Sequence, residues 1–292
     1  MYYLLSFLTG LLIAVMIAIN GGLTLHYGIY SATIIIHLVG LVLISLLLLG
    51  KRHRFWKKGT SWYLLLGGAL GVAATVFNNV SFGKISVSAI LALGLLGQSL
   101  VGLIIDQWGL MHMPRHRFHI SKLAGLLLML AGITVMIRDF EWIAVSASFF
   151  CGALLVIART LNAQLAERTS VRISTFYNYL TGLVFAIAAC AIWGRNEPMI
   201  ANFTFSTNPL LYFGGILGVG VVLLSNLTVS HISAFYLSII IFVGQVFAGL
   251  IIDAVLAGTF ALPNLIGGIL ATAGLCLNLI FDRVYNVSQS GE

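Results

Sequence analysis

Charged residues are scarce in this chain. Asp, Glu, Lys and Arg together make up 8% of its 292 residues, whereas hydrophobic residues make up 60%. Soluble globular chains contain roughly 25% charged and about 45–50% apolar residues. So few charged side chains cannot cover the surface of a soluble domain of this size. The composition therefore excludes a water-soluble enzyme, a disordered tail and a nucleic-acid-binding protein, and it predicts an integral membrane protein.

Cysteines and catalytic motifs are also few. The three cysteines lie in apolar runs without a CxxC pair, which indicates small core residues rather than a disulfide framework. No GxxxxGK[ST], HExxH or GxSxG motif occurs. The one histidine cluster, His112, His116 and His119, lies beside two arginines, which disfavour a divalent metal ion. We therefore expect no enzyme activity, no cofactor and no metal, and any transport should be driven by a gradient.

Long apolar runs are abundant. A transmembrane helix needs about 20 mostly apolar residues to cross the hydrocarbon core of a bilayer. Ten runs fit, at residues 3–22, 31–50, 61–80, 86–105, 121–137, 143–163, 173–194, 210–229, 232–252 and 262–281. With the amino terminus inside the cell, eleven Lys and Arg residues fall on the cytoplasmic side and three on the other side. This asymmetry predicts a multi-pass protein of the cell membrane with both termini in the cytoplasm.

The second half of the chain repeats the first. Residues 63–106 and 210–253 align without gaps and share 16 identities in 44 positions. The polar matches are Asn79 with Asn226, Gln98 with Gln245, and Asp106 with Asp253; a looser match sets Asn20 opposite Asn162. Each repeat, 1–138 and 139–292, contains five predicted spans, so the second must cross the membrane in the opposite sense. The expected fold is an all-α membrane protein of ten transmembrane helices in two inverted five-helix repeats, with a site where they meet.

Two motifs occur once in each half. An early Asn-small-x-Leu stands at 20–23 and 162–165, and Gly-Gln followed by Asp stands at 97–106 and 244–253. In these features the chain resembles the drug/metabolite transporter superfamily and, more narrowly, a duplicated and fused bacterial YdcZ-like inner-membrane protein. It departs from that family's pattern at Met16 and Ala158, where a glutamine often precedes the first Asn. The resemblance implies transport without naming the substrate.

Gln98 and Gln245 are the sharpest site candidates. Each lies eight residues, or about 12 Å of helix, from the Asp that ends its span, which places both amides near the membrane midplane. They either line a central cavity, where they could bind a substrate, or form an interhelical hydrogen bond that locks the core. Asp106 and Asp253 cap helix ends or gate the cavity, and the sequence favours the structural role.

Other polar residues lie within the predicted spans. His37 corresponds to Tyr179 in the repeat and is either a hydrogen-bonded core residue or a proton carrier. Arg159 either extends its side chain to the headgroups, which the sequence favours, or faces the cavity and attracts an anion. The remaining binding candidates are Asn20, Asn162, Asn178, Asn79, Asn226 and Tyr236. Aromatic faces among these residues could hold an organic cation.

The leading hypothesis is a secondary transporter, an exporter, that moves a small organic metabolite by alternating access. The alternative is a non-transporting membrane scaffold or subunit, which would have no cavity between the halves. The expected partners are a small-molecule substrate, the lipid bilayer and a coupling proton or ion; formation of a homodimer is left open.

Overall fold

The computed structural model describes residues 1–49, 55–112, 122–137, 141–201, 205–229, 234–258 and 261–290. This part of the chain is helical. Its α-helices are α1 Tyr2–Tyr27, α2 Ile29–Leu48, α3 Leu66–Ser81, α4 Val87–Trp108, α5 Lys122–Met136, α6 Trp142–Arg168, α7 Val171–Trp193, α8 Pro198–Ala201, α9 Phe213–Val229, α10 Ala234–Ala257 and α11 Leu262–Ser290. Short 3-10 helices at Trp62–Leu65 and Pro209–Tyr212 lead directly into α3 and α9, and a third lies at Leu110–His112.

Seven helical segments of the described chain are long and apolar enough to cross a membrane. They are Tyr2–Tyr27, Ile29–Leu48, Trp62–Ser81, Val87–Ile105, Trp142–Arg168, Val171–Trp193 and Pro209–Thr228. Three shorter apolar stretches, Leu123–Met136, Ile240–Leu256 and Leu262–Asn278, lie within α5, α10 and α11. The described part of each of the ten predicted apolar runs therefore lies on a helical segment, and seven of these segments are long and apolar enough over the described residues to span a membrane.

Large apolar side chains cover much of the outer surface, as expected of helices that face lipid. Ile251, Val255 and Trp142 are each more than 60% exposed. Buried positions include small and polar residues such as Ser6, Thr9 and Ser174. Helix association in lipid lacks a hydrophobic driving force and depends on close packing and hydrogen bonds, which explains small and polar residues inside and apolar residues outside.

Glycines and side-chain caps set several helix boundaries. Gly28 separates α1 from α2 with φ of 95°, a conformation that costs other residues energy. Glu197 accepts hydrogen bonds from the backbone amides of Tyr30 (2.8 Å) and Ser31 (2.7 Å), so a distant carboxylate caps the start of α2. Ser86 caps α4, and Ser170 caps α7, each by accepting a backbone amide three residues later.

The helices of the two predicted halves interleave. Helix α1 packs on α9 and α10, and its repeat counterpart α6 packs on α3 and α4. Three further contacts join counterparts directly: α2 with α7, α4 with α10, and α5 with α11. The first helix of each half therefore packs mainly on the other half, and every major contact has a counterpart under exchange of the halves.

The glycine of each Gly-Gln pair lies at one of these contacts. A Cβ atom on Gly97 of α4 would lie 2.0 Å from the carbonyl oxygen of Phe149 in α6. A Cβ atom on Gly244 of α10 would lie 2.5 Å from the carbonyl oxygen of Phe7 in α1. Only glycine permits such close backbone approach, so the motif fixes where α4 meets α6 and where α10 meets α1.

Candidate substrate cavity

One cavity of about 150 Å³ lies between the two predicted halves. Helices α1, α2, α3 and α4 contribute its lining from the first half, and α6, α7, α9 and α10 from the second. Nine of the eleven predicted binding residues line it: Gln98, Gln245, Asn20, Asn162, His37, Tyr179, Asn178, Asn226 and Arg159. Residues that are distant in the chain thus meet in one place. A non-transporting scaffold was expected to have no cavity between the halves, and the structure has one there.

Arg159 and Gln98 are in direct contact across this cavity. The Arg159 guanidinium of α6 donates a hydrogen bond of 2.9 Å to Oε1 of Gln98 in α4. The side chain therefore lies among the cavity-lining residues instead of extending to the headgroups, which is the placement that the sequence disfavoured. None of the described residues that line the cavity is Asp or Glu. A charge-neutral amide thus orients a cation that has no carboxylate beside it in the cavity wall.

Gln245 occupies the matching position in the other half but has different surroundings. It is buried and lines the same cavity. The repeat counterpart of Arg159 is Ile17, which also lines the cavity and has no donor to offer. The two glutamines therefore match in sequence but differ in surroundings, because the arginine that donates to Gln98 has an isoleucine as its counterpart in the other half.

The asparagines show the same asymmetry. Nδ2 of Asn162 donates to Oδ1 of Asn178 over 2.9 Å. Asn20 is the counterpart of Asn162, but Ile36 stands where Asn178 would be, and the buried Oδ1 of Asn20 has no hydrogen-bond partner in the described part of the chain. Both asparagines lie against glycines, Asn162 on Gly67 and Asn20 on Gly214.

His37 and Tyr179 lie together on the contact between α2 and α7. Their ring centroids are 5.7 Å apart. His37 packs on Gly182, and Tyr179 packs on Gly40 in the reciprocal arrangement. The His37 Nδ1–H group donates to the carbonyl oxygen of Thr33 over 2.8 Å. Because a carbonyl only accepts, this bond leaves Nε2 as the ring atom that can take up a proton or accept from a ligand.

The asparagines near the ends of α3 and α9 also differ. Nδ2 of Asn79 donates to Oγ1 of Thr33 (3.3 Å) and to the carbonyl oxygen of Ile29 (3.5 Å), and Asn79 lies outside the cavity lining. Its counterpart Asn226 and the neighbouring Ser225 both line the cavity. Among the residues that the structure describes, neither Nδ2 of Asn226 nor Oγ of Ser225 has a hydrogen-bond partner.

Asp253 caps a helix of the opposite half. Its carboxylate accepts from the backbone amides of Val87 (2.7 Å) and Ser88 (3.0 Å), from the Ser88 hydroxyl, and from Nδ2 of Asn264 (3.2 Å). It therefore holds the start of α4 to α10. The side chains of Asp106 and Tyr236, and the cluster at residues 112–119, lie outside the part of the chain that is described in atomic detail. Among the side chains that are described, no group of three potential metal ligands occurs.

Cys151 is a cavity residue that sequence reasoning missed. It was expected to be an ordinary core residue, but it lines the cavity together with Arg159 and Asn162 of the same helix. Its spacing of eight residues from Arg159 places both on the same side of α6, so helical periodicity contained this signal. Thr75 of α3 also lines the cavity and was not singled out.

Comparison with known proteins agrees with this architecture. The family described as "Putative inner membrane exporter, YdcZ" matches the chain twice, at residues 1–135 and 143–277. The chain belongs to the YdcZ family. A solved crystal structure, described only as that of a protein, is 16% identical with a TM-score of 0.61, covering 97% of this chain and 98% of its own. At this identity the likeness concerns the fold alone. No curated protein matches the chain.

Proposed function

We propose that this YdcZ-family protein is a secondary active transporter that exports a small organic metabolite across the cytoplasmic membrane. The observation that carries the proposal is the cavity between the halves, lined by polar side chains from both. Polar groups inside a membrane protein are costly and mark substrate or ion pathways. A family of inner-membrane exporters is consistent with the outward direction.

The mechanism that we propose is alternating access between two inverted five-helix repeats. The family matches the chain in two successive segments, and each segment contains five predicted spans. An odd number of crossings reverses the second copy. Ten spans place both termini on one side of the membrane, and the distribution of Lys and Arg assigns that side to the cytoplasm. The interleaved contacts support this arrangement because each has a counterpart under exchange of the halves. Two related halves allow two near-equivalent packings, one open to each side of the membrane.

We propose that an ion gradient or the substrate gradient supplies the energy. The sequence contains no P-loop for a nucleotide. His37 is the candidate proton carrier, because it lines the cavity with Nε2 free of the Thr33 hydrogen bond.

Flux through reconstituted vesicles tests the proposal. Purified protein in proteoliposomes should move at least one member of a labelled panel of small organic anions, zwitterions and cations, without ATP, when a pH gradient or membrane potential is imposed. The double variant Gln98→Leu/Gln245→Leu should lose this flux. The variant Arg168→Gln should keep it, because Arg168 is exposed and its guanidinium contacts the carbonyl oxygen of Gly59. Flux that requires ATP, or folded protein that moves no panel member faster than empty vesicles, would contradict it.

A further inference from the structure

The charge of the cavity indicates the kind of molecule it takes. Arg159 is the only Lys or Arg among the described lining residues, and no Asp or Glu accompanies it there. The hydrogen bond from its guanidinium to Gln98 Oε1 involves a neutral acceptor. A guanidinium carries five N–H donors, so this contact neither neutralises the charge nor uses up the donors. An uncompensated cation within a membrane protein is costly, and an anionic ligand would relieve that cost.

Further hydrogen-bonding groups in the wall have no partner among the described residues. Ser225 Oγ and Asn226 Nδ2 are unpartnered, and both residues are at least nine-tenths buried. Hydroxyl and amide groups are donors that suit an oxyanion. Buried donors without partners are rare in native proteins and call for an explanation such as a bound ligand. The unpartnered donors of Ser225 and Asn226 and the guanidinium of Arg159 therefore all suit an anionic ligand.

The wall also has an apolar part, and the space is small. Aliphatic and thioether side chains form that part, among them Ile13, Met16, Ile17, Ile90, Leu91 and Leu155. A cavity of about 150 Å³ resembles in size an engineered protein cavity of roughly 150 Å³ that binds benzene. One guanidinium matches one negative charge, and the apolar wall matches a compact hydrocarbon body.

We propose that the cavity binds a small organic monocarboxylate, with its carboxylate on Arg159 and its apolar body against the aliphatic wall. The inference rests on the proposed transport function, since it names the substrate class of the same cavity. It excludes the organic cation that the aromatic residues had suggested, because Arg159 repels a second positive charge. Gln98 is a positioning residue: it holds the guanidinium toward the ligand.

Three probes of nearly equal size separate charge from shape. Benzoate, benzamide and benzylammonium share a phenyl ring and differ in the charge of the head group. We expect calorimetry on the purified full-length protein in detergent to give benzoate at least about tenfold tighter binding than benzamide, with no binding of benzylammonium.

Matched arginine variants assign the preference to one side chain. Arg159→Gln should bind benzoate and benzamide equally, and retained benzamide binding shows that the variant is folded. Arg159→Lys, which keeps the charge, should keep part of the preference and serves if Arg159→Gln fails to fold. Arg168→Gln removes a cation from the same helix outside the cavity and should bind as the unaltered protein does.

Equal binding of benzoate and benzamide by the unaltered protein, unchanged preference in Arg159→Gln, or no binding of any probe by folded protein would overturn the proposed class. The experiments distinguish a wrong substrate class from a wrong transport function. Flux of a cationic or zwitterionic panel member would support the proposed transport function and contradict the proposal that the substrate is a monocarboxylate.

Discussion

At the scale of single residues, the two motif glutamines have different tasks in spite of their matching positions. Gln98 accepts a hydrogen bond from Arg159. In the half that contains Gln245's matching contact, the position equivalent to Arg159 is occupied by Ile17, which cannot donate. The matched positions thus hold a positioning group in one half and a cavity-lining amide in the other. This difference can be measured, because the same substitution should have unequal effects at the two sites.

We expect Gln98→Leu to lower the free energy of unfolding by about 1–3 kcal/mol, because it removes the amide oxygen that accepts a hydrogen bond from the Arg159 guanidinium. Gln245→Leu should change stability little, because no described side chain depends on that amide. Both variants should weaken ligand binding. Thermal unfolding in detergent, read beside calorimetric binding, tests the pair. Equal destabilisation by the two variants with unchanged affinity would instead make both glutamines purely structural.

The sequence predicted much of the cavity lining because the repeat marks the same polar positions twice. It did not predict the orientation of Arg159. Counting residues along α6 places this arginine nearer the cytoplasmic end, which favours extension to the headgroups. Its true neighbour, Gln98, lies 61 residues away in the chain, and the contact depends on how closely Gly97 lets α4 approach α6. Packing between helices decides such a choice, and no single-helix pattern contains it.

At the scale of helices, carboxylates from distant segments hold helix starts in place. Asp253 caps α4 from 165–166 residues away, and Glu197 caps α2 from 166–167 residues away. The sequence favoured a structural role for Asp253, and its hydrogen bonds have that character. The helix that each carboxylate caps could not be predicted, because the spacing of residues within one helix carries no information on contacts between residues so far apart in the sequence.

Removing the Asp253 cap should destabilise the protein. Asp253→Ala leaves two backbone amides of α4 without an acceptor, and we expect a loss of about 1.5–3 kcal/mol, the usual worth of hydrogen bonds to a charged group. Glu141→Ala is the matched control, because that exposed carboxylate precedes α6 without capping it through its side chain. Thermal unfolding of both variants decides the matter, and equal melting temperatures would show that Asp253 adds no stability.

Two glycines of α4 offer a test of the helix contact. A Cβ on Gly97 would meet the backbone of Phe149 at 2.0 Å, whereas a Cβ on Gly102 would meet nothing within 4 Å. Gly97→Ala should therefore separate α4 from α6 and destabilise the fold. Gly102→Ala should stabilise it by about 0.5–1 kcal/mol, since alanine costs less backbone entropy in a helix. If unfolding measurements ranked the two variants in the reverse order, the close contact at Gly97 would be wrong.

At the scale of the whole molecule, the ten apolar runs predicted where helices form. Seven helices of the described chain meet the length and hydropathy of a crossing. The runs at 121–137, 232–252 and 262–281 coincide with α5, α10 and α11, whose described apolar stretches are shorter. A run of apolar residues predicts a helix in the membrane. How that helix crosses the bilayer depends on its tilt and on the neighbouring helices, which cannot be read from composition.

Our topology places the turn before α3 in the cytoplasm and the segment after α7 outside the cell. Lys57 and Asn196 are both exposed, so cysteines there should react with an impermeant thiol reagent from the inside and outside respectively. Asn196 is preferable to Glu197, whose carboxylate caps α2. Labelling of both cysteines from one side would reject the inverted arrangement, since ten crossings with cytoplasmic termini require these two segments to lie on opposite sides.

The central claim is that the cavity opens to each side of the membrane in turn. A single cysteine at Thr75, which lines the cavity, tests it in a background with serine at Cys151, Cys190 and Cys276. A cysteine at Ala271, buried between α5 and α11, is the control. In oriented membrane vesicles we predict that impermeant reagents modify the Thr75 position from either side, and the Ala271 position from neither. Modification of the Thr75 position from one side only, or from none, would contradict alternating access.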